Sequence, residues 1–376
     1  MPDPAAAAAY LDAARTSRRL GSTWLPKAAA VAGGSPQALG FAVALAQAGV
    51  AVTLIEDDQH DAQRVRDTLA RTKDAPGIAV AVGTQHQTTV ALLVEASGAN
   101  FEQRLQMLAD HRPMLAPGGL ALSLGHDVMQ TRRAFEGPRI GPLILIDTAA
   151  PPPQIGLIEI LETPTAPPTQ LARAEGLARA LGAVPLRTPT FLAAPLIARL
   201  EDCAEHLIYH GATPWEVDAA LEAFGFDLGP CAAQDLRGLD LTTARHRAED
   251  ALGTRHVPTP VLDRMVTEGR LGRKGSVGWY RYPGGGGRVI DPLIEDLARE
   301  EAHFAGVTPQ PIADSALRQR LLAALIAEAT RLLASGVPAA MIDLVATQAT
   351  GFPAALGGPL FYASHIKIAR EKRTTP

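Results

Sequence analysis

The sequence predicts an α/β part built on a mostly parallel sheet, followed by two tandem all-α repeats. Three observations carry this reading. Up to about residue 186, short apolar runs alternate with helix-length segments, the spacing of βαβ units. After Leu186 the strand signal stops and helical periodicity takes over. The helical part also repeats itself. Gly211-Ala212-Thr213-Pro214 through Gly229-Pro230 matches Gly336-Val337-Pro338 through Gly358-Pro359, each running helix start, acidic residue, helix, Gly-Phe turn and Gly-Pro. Glu216-Val217-Asp218 and Met341-Ile342-Asp343 hold equivalent places. One copy alone exposes an apolar face, and two stacked copies bury it.

Taken in order, Ala5–Leu20 has helix-forming composition and ends in Arg18-Arg19 before Gly21, as helix C-termini often do. Ala28–Ala32 reads as a strand, Gln37–Ala48 as a helix, Val50–Ile55 as a strand and Asp58–Arg71 as an amphipathic helix with Arg64 and Lys73 on or near its solvent side. Val90–Glu95, Leu120–Leu124, Leu143–Ile146 and Leu157–Leu161 continue as strands. A proline-rich loop at Thr163–Pro168 precedes a helix over Gln170–Leu181. Helices follow at Leu196–His210, Pro214–Ala223, Leu239–Leu252 and Val261–Gly269. Pro283–Gly287 is a flexible breaker, and helices return at Pro292–Glu301, Ser315–Ala334 and Ala339–Ala349. The expected domains are 1–27 (an N-terminal helix or linker), 28–186, 187–290 and 291–376.

Composition narrows the function classes. The 376 residues are 47% hydrophobic and 20% charged, which is globular and long enough for two or three cores. A net charge of −4 with no basic run argues against nucleic acid and membrane surfaces. Cys203 and Cys231, the two cysteines, fit a reducing compartment without a disulfide framework or a zinc site. The start of the chain lacks a signal-peptide pattern and no apolar run reaches the ~20 residues of a membrane span, so a cytoplasmic protein is expected.

The first strand-to-helix turn reads Val31-Ala32-Gly33-Gly34-Ser35-Pro36-Gln37-Ala38. A dinucleotide fingerprint, G-x-G-x-x-[GA], uses its first glycine for the turn, its second for close approach to pyrophosphate and its third for helix–strand packing. Gly33, Ser35 and Ala38 occupy those places, so Ser35 departs where size matters most. Pro36 removes a backbone N–H as well. Glu56 ends the second strand about twenty residues on, where a carboxylate accepts ribose hydroxyls and favours NAD over NADP. The part is therefore Rossmann-type, with NAD binding weak or absent; an ordinary acidic loop is the plainer account of Glu56.

Two motifs in the helical part are the most recognisable. Gly225-Phe226-Asp227-Leu228-Gly229-Pro230 precedes Leu271-Gly272-Arg273-Lys274-Gly275-Ser276-Val277-Gly278-Trp279-Tyr280, and Gly351-Phe352-Pro353 with Gly357-Gly358-Pro359 doubles the first turn. Together they resemble the C-terminal domain of the 3-hydroxyacyl-CoA dehydrogenases, and the doubling resembles the dehydrogenase half of multifunctional fatty-acid β-oxidation enzymes. The resemblance implies a Rossmann domain followed by two such helical repeats, an acyl-CoA substrate, a hydratase or thiolase subunit as partner, and an opening segment descended from a linker helix. Single-repeat relatives pair this surface between subunits, so the second copy stands in for a partner and a monomer is expected.

The resemblance also implies a histidine held by a glutamate for proton transfer, with a serine and an asparagine placing the oxygen and the imidazole. A histidine oriented by a carboxylate has the near-neutral pKa that an alcohol's proton requires. Leu157-Ile158-Glu159-Ile160 matches the glutamate strand. Twelve residues earlier stands Asp147, and an alternative register on Ile140-Gly141 gives Leu143. The asparagine position becomes Ala198 or Ile197, and of the serine turn only Ser123 is kept, followed by His126. The candidate catalytic residues are thus Glu159, Ser123, Asp147 at the histidine's place, and a relocated His126; a solvated loop histidine is the plainer account of the last. His206 and His210 have metal-ligand spacing but no third ligand in view, so no metal is expected. Arg270, Arg273 and Lys274 form a basic turn that either meets CoA phosphates or is simply solvated. The residues suit an impaired 3-hydroxyacyl-CoA dehydrogenase, or a catalytically silent relative that binds acyl-CoA, a nucleotide or a protein.

Overall fold

The computed structural model describes residues 2–72, 77–83, 88–98, 101–125, 142–148, 155–251, 253 and 260–374. They divide into two compact units, one of Ala14–Phe191 and one of Met1–Ala13 with Leu192–Pro376. The sequence places a boundary at 290/291; both helical repeats lie within the second unit.

The first unit is an eight-stranded sheet of β1 (Ala28–Ala32), β2 (Ala51–Glu56), β3 (Ala79–Val82), β4 (Val90–Glu95), β5 (Leu115–Leu124), β6 (Ile144–Thr148), β7 (Leu157–Leu161) and β8 (Val184–Thr188). The spatial order is β3-β2-β1-β4-β5-β6-β7-β8, parallel except for the β6–β7 pair. The order reverses direction between β1 and β4, the switch point at which such sheets place ligands. Buried alternation along the strands, such as Ala29 and Val31 against Ala30, sorts the apolar side chains to two faces. Helices α2 (Pro36–Gln47), α3 (Gln59–Arg71) and α5 (Pro168–Ala180) contribute Phe41, Leu45, Val65, Leu171 and Leu177 to one core. Leu108 of α4 (Phe101–His111) joins Ala30, Ile55 and Leu93 on the opposite face.

Two strands escaped the sequence reading. The edge strand β3 spans four residues, and β8 carries Pro185, which breaks the strand signal yet is tolerated because β8 is the other edge. The antiparallel β6–β7 pair lies inside a sheet whose apolar runs read as parallel.

The second unit holds α6 (Ala193–Tyr209), α7 (Pro214–Glu222), α8 (Pro230–Arg237), α9 (Leu239–Ala251), α10 (Pro260–Thr267), α11 (Leu293–Phe304), α12 (Asp314–Ala334), α13 (Ala339–Ala349) and α14 (Pro359–Thr374). The glycine run closes a small ribbon of β9 (Tyr280–Arg281) and β10 (Val289–Ile290). The repeats pack on each other reciprocally: α6 against α12 and α13, and α12 against α7. At their junction the two Gly-Phe turns meet, with the rings of Phe226 and Phe352 5.6 Å apart and Phe224 against both Phe352 and Tyr362. Edge-on aromatic contacts of this kind add to the burial of the rings themselves.

Each repeat has the same polar organiser. Asp218 of α7 accepts the first free N–H groups of α8, from Cys231 at 2.8 Å and Ala232 at 3.0 Å, and the Tyr280 hydroxyl at 2.8 Å. Asp343 of α13 accepts those of α14, from Leu360 at 2.8 Å and Phe361 at 3.0 Å, and the hydroxyl of Tyr10 at 2.9 Å. Pro230 and Pro359 open the two helices, where a missing N–H costs nothing. Tyr10, in α1 (Pro4–Arg19), thus plays in the second repeat the part that Tyr280 plays in the first. Burial pushes both carboxyls up to about 6, so each is ionised at neutral pH at a desolvation cost that its donors offset.

The long glycine-basic motif surrounds a third buried acid. Asp235 of α8 accepts from the backbone of Trp279 and Tyr280, both at 2.9 Å, and from the Tyr282 hydroxyl at 3.0 Å. A side chain on Gly278 would lie 1.9 Å from the Asp235 carboxylate, which explains that glycine.

Asp343→Asn replaces one acceptor oxygen by an amide NH₂ that faces a backbone donor, and should lower unfolding free energy by about 2–3 kcal/mol, with Tyr10→Phe losing about 1 kcal/mol. Urea denaturation of both variants at pH 7 checks this; unchanged midpoints would refute the assigned role.

Candidate functional site

The phosphate turn is held tightly. Gly33 has φ +99°, and a Cβ there would lie 2.3 Å from the Ser97 backbone. Ser35 stands just before α2. Its Oγ accepts the N–H of Ala38 at 3.1 Å and donates to the carbonyl of Ala96 at 2.5 Å, tying the turn to the end of β4. Ala38 itself is fully buried. A bound pyrophosphate uses the N–H groups of the first helical turn. Here Pro36 has none, that of Ala38 is taken by Ser35, and that of Leu39 goes to the Ser35 carbonyl. Gln37 alone keeps a first-turn N–H that neither residue has removed. The turn therefore fits a dinucleotide phosphate poorly.

Glu56 sits at the end of β2 with its side chain folded inward. It is 7% exposed, its Oε1 has no hydrogen-bond partner, and a Cβ on Gly34 would lie 1.8 Å from that atom. Burial, reinforced by Asp61, Asp57 and Asp58 and opposed by Arg64, pushes its carboxyl up to about 7. The residue that the fingerprint assigns to ribose hydroxyls is tucked beneath the turn.

The candidate catalytic residues share one face of the sheet. Ser123 and Glu95 are register partners on β5 and β4, and Asp147 and Glu159 are register partners on β6 and β7. All four point away from the α2–α5 core, because their strand neighbours Val94, Leu122, Leu124, Ile146, Ile158 and Ile160 fill it. Asp147 and Glu159 are 3% and 0% exposed. Directly opposed residues of an antiparallel pair have Cβ atoms about 5 Å apart, so two carboxyl-bearing residues stand in register where the resemblance implies an imidazole and a carboxylate. One Asp147 oxygen accepts the Thr148 N–H at 2.9 Å. Leu143 precedes β6 and has no such partner in register. His126 lies outside the described residues.

Ser123 is already engaged. Its hydroxyl donates to Glu95 Oε2 at 2.7 Å and accepts from Arg104 Nη2 at 2.7 Å. The same guanidinium reaches Glu95 Oε2 through Nε at 2.7 Å and the Leu124 carbonyl at 2.8 Å. The other Glu95 oxygen takes the N–H and hydroxyl of Ser97, at 2.9 and 2.7 Å. Glu95 is 0% and Arg104 7% exposed, so the pair is a buried ion pair with well-satisfied lone pairs. The hydroxyl has one proton, and Glu95 has it. Glu95 and Arg104 were missed in the sequence; the one available signal was a charged residue closing the apolar strand β4.

The remaining candidates lie in the helical unit. Ala198 and Ile197 lie on α6 and bring no polar group. Arg270 binds the Gly278 carbonyl and Asp291, Lys274 pairs with Asp240 at 2.6 Å, and Arg273 lies over the Tyr282 ring. The basic turn is thus engaged internally. The rings of His206 and His210 are 4.3 Å apart, and among the described residues the one cluster of three potential ligands is the exposed Asp58 and His60 with the half-buried Asp61. No described helix is long and apolar enough to cross a membrane.

The family model for the C-terminal domain of 3-hydroxyacyl-CoA dehydrogenase matches residues 191–282. The chain is similar to the peroxisomal bifunctional enzyme of Danio rerio, 28% identical over 379 residues that cover 92% of this chain and 52% of that protein. It is 25% identical over 286 residues to the fatty acid oxidation complex subunit alpha of Vibrio cholerae, covering 74% of this chain and 39% of that one. Its fold is similar to that of 3-hydroxybutyryl-CoA dehydrogenase from Escherichia coli K12, with TM-score 0.69, 19% identity, and 91% and 92% of the two chains covered. The chain spans about half the length of the curated relatives it matches.

A carboxyl raised in the folded state favours folding below its unfolded pKa, and that stabilisation is lost as pH rises through the folded value. For Glu56 the window runs from about 4.5 to about 7. Glu56→Gln should therefore be more stable than the parent at pH 8, by on the order of 1–2 kcal/mol, with the gap closing by pH 5. Thermal unfolding across that range checks the sign; a variant less stable at pH 8 than its parent would show that the ionised carboxylate is held by favourable contacts.

Proposed function

From its place in the 3-hydroxyacyl-CoA dehydrogenase family, which the matched domain and relatives support, we propose that this chain is a 3-hydroxyacyl-CoA dehydrogenase-like protein of fatty-acid oxidation whose proton-transfer site is impaired. The observation that carries the reading is Asp147 opposite Glu159 in the β6–β7 register. A carboxylate has an ordinary pKa near 4, too low for a strong base toward an alcohol, and general acid–base help is worth about 100- to 10,000-fold. With Ala198 or Ile197 at the asparagine's position, the substrate oxygen also loses an orienting group.

The phosphate turn supports weak or absent NAD binding. Ser35 and Pro36 between them remove two first-turn donors, and Glu56 is folded away from solvent. When bound, NAD would supply the hydride acceptor. The chain's own residues contribute Ser123 and Arg104 as fixed polar groups beside Glu95, on the sheet face that also carries Asp147 and Glu159.

The second reading is a silent relative that binds acyl-CoA, a nucleotide, or a hydratase or thiolase subunit. The Ser123 proton committed to Glu95 favours it. The two readings part in calorimetry: the silent relative takes up acetoacetyl-CoA without turnover, and the impaired enzyme shows slow turnover that Asp147→His accelerates.

For assembly, the reciprocal packing of α6 on α12 supports a monomer, because an obligate interface needs on the order of 2,000 Å² of surface and the repeats already use that face. Light scattering should give the mass of one chain; a dimer built through α6 and α12 would contradict the pairing.

Oxidation of NADH with acetoacetyl-CoA at high protein concentration should be negligible. A turnover number in the ordinary range of about 1–1,000 per second would sink the impaired-site reading. NADH should leave the melting temperature unchanged at micromolar concentration, where a ligand at 100 times its Kd would add about 2.7 kcal/mol. Ser35→Gly, by releasing the Ala38 N–H, should raise whatever affinity there is.

A further inference from the structure

The helical unit carries a cavity that the dehydrogenase reading does not use. It measures about 410 Å³ and lies where the end of α6, the segment 308–312 and the start of α12 meet. Arg320, His206 and His210 form one wall, and Ile312, Ala316 and Gln310 are among the residues closing the rest. The segment is anchored, because the Gln310 N–H donates to the His210 carbonyl at 3.0 Å. No carboxylate lines the cavity.

Charge among the lining residues is one-sided, and the carboxylate at the helix start, Asp314, is exposed and outside the lining. His206 is held below the usual histidine range first by desolvation and then by its neighbours His210, Arg320 and Arg199. Arg320 and Arg199 make no ion pair among the described residues, in a unit whose other arginines commonly pair, as Arg245, Arg264 and Arg270 do. The cavity also receives the start of α12, a helix of 21 residues preceded by Ala313, which offers no side-chain acceptor to the first-turn amides. Alanine is among the poorest residues at that position.

We propose that this cavity binds a phosphate monoester, with Arg320 as its cation, His206 and His210 as imidazole donors and the amides at the start of α12 as further donors. Guanidinium geometry matches two phosphate oxygens at once, the imidazoles donate at the same side, and the helix dipole favours a dianion over a single carboxylate. Ile312 and Ala316 leave room beside the phosphate for an apolar or planar body. The site is independent of the phosphate turn at Gly33 and of the carboxyl pair on β6 and β7, so it stands whether or not the chain turns over a substrate.

The test follows the imidazole signals of His206 and His210 by NMR, assigned through His206→Gln and His210→Gln, during titration of the full-length protein with inorganic phosphate against sodium chloride at matched ionic strength. Phosphate should shift both signals with half-saturation on the order of 1–10 mM and raise the titration midpoint of His206. Arg320→Ala should weaken binding about tenfold, the size of one charge-assisted contact. Ala313→Asp supplies an acceptor to the helix start and repels an anion; it should abolish the shifts without lowering the melting temperature, which separates loss of the site from loss of folding. Competition by CoA but not by dephospho-CoA, or by AMP alone, supports the site and distinguishes a cofactor's 3′-phosphate from a simple nucleotide. Shifts equal to those in chloride, or unchanged in both Arg320→Ala and Ala313→Asp, overturn the proposal.

Discussion

A buried aspartate accepting the first amides of the next helix is the constraint on which the helical unit depends. Asp218 and Asp343 do this at the starts of α8 and α14, and Asp235 does it for the chain that follows the basic turn. Each carboxylate has left water, and that is costly unless its oxygens are filled. Filling them requires two backbone N–H groups and a tyrosine hydroxyl at set distances, which fixes the turn, the helix that follows and the partner strand or helix bearing the tyrosine. The Gly-Pro turns and the glycine-basic motif, the most recognisable sequence in the chain, are consequences of that requirement. Their recognisable pattern follows from scaffold chemistry.

The doubling of this arrangement has its own geometry. Because α6 meets α12 and α13 while α12 meets α7, the two copies relate to one another much as two subunits of a symmetric pair would. The aromatic junction of Phe224, Phe226, Phe352 and Tyr362 sits where the two Gly-Phe turns face each other. The copies have diverged in their third donor: Tyr280 comes from the ribbon of the first repeat, and Tyr10 comes from the opposite end of the chain.

In the sheet unit, polar side chains gather on one face, at the carboxyl ends of β4 to β6 and beside them at the middle of antiparallel β7. Glu95 is bound to Arg104, Ser123 and Ser97, and Asp147 stands in register with Glu159. The same inward turn occurs at the phosphate loop, where Ser35 closes the start of α2 and Glu56 packs beneath Gly34. Ser35, Ser123, Glu95 and Arg104 thus spend their hydrogen-bonding groups within the protein, whereas Glu56 Oε1 is buried without a partner.

The sequence by itself determined the class of each part, six of the eight sheet strands (all but β3 and β8), the repeat, and which residues stand where the resemblance implies a histidine and an asparagine. These are readable because periodicity, turn glycines and residue identity are local. Tertiary structure alone decided where Glu56 and Ser35 point, that Asp147 rather than Leu143 faces Glu159, and that Arg104 occupies Ser123. It also decided that Tyr10 completes the second repeat. These outcomes depend on desolvation and on donors and acceptors brought together from distant parts of the chain, 333 residues apart for Tyr10 and Asp343. No window of neighbouring residues contains them.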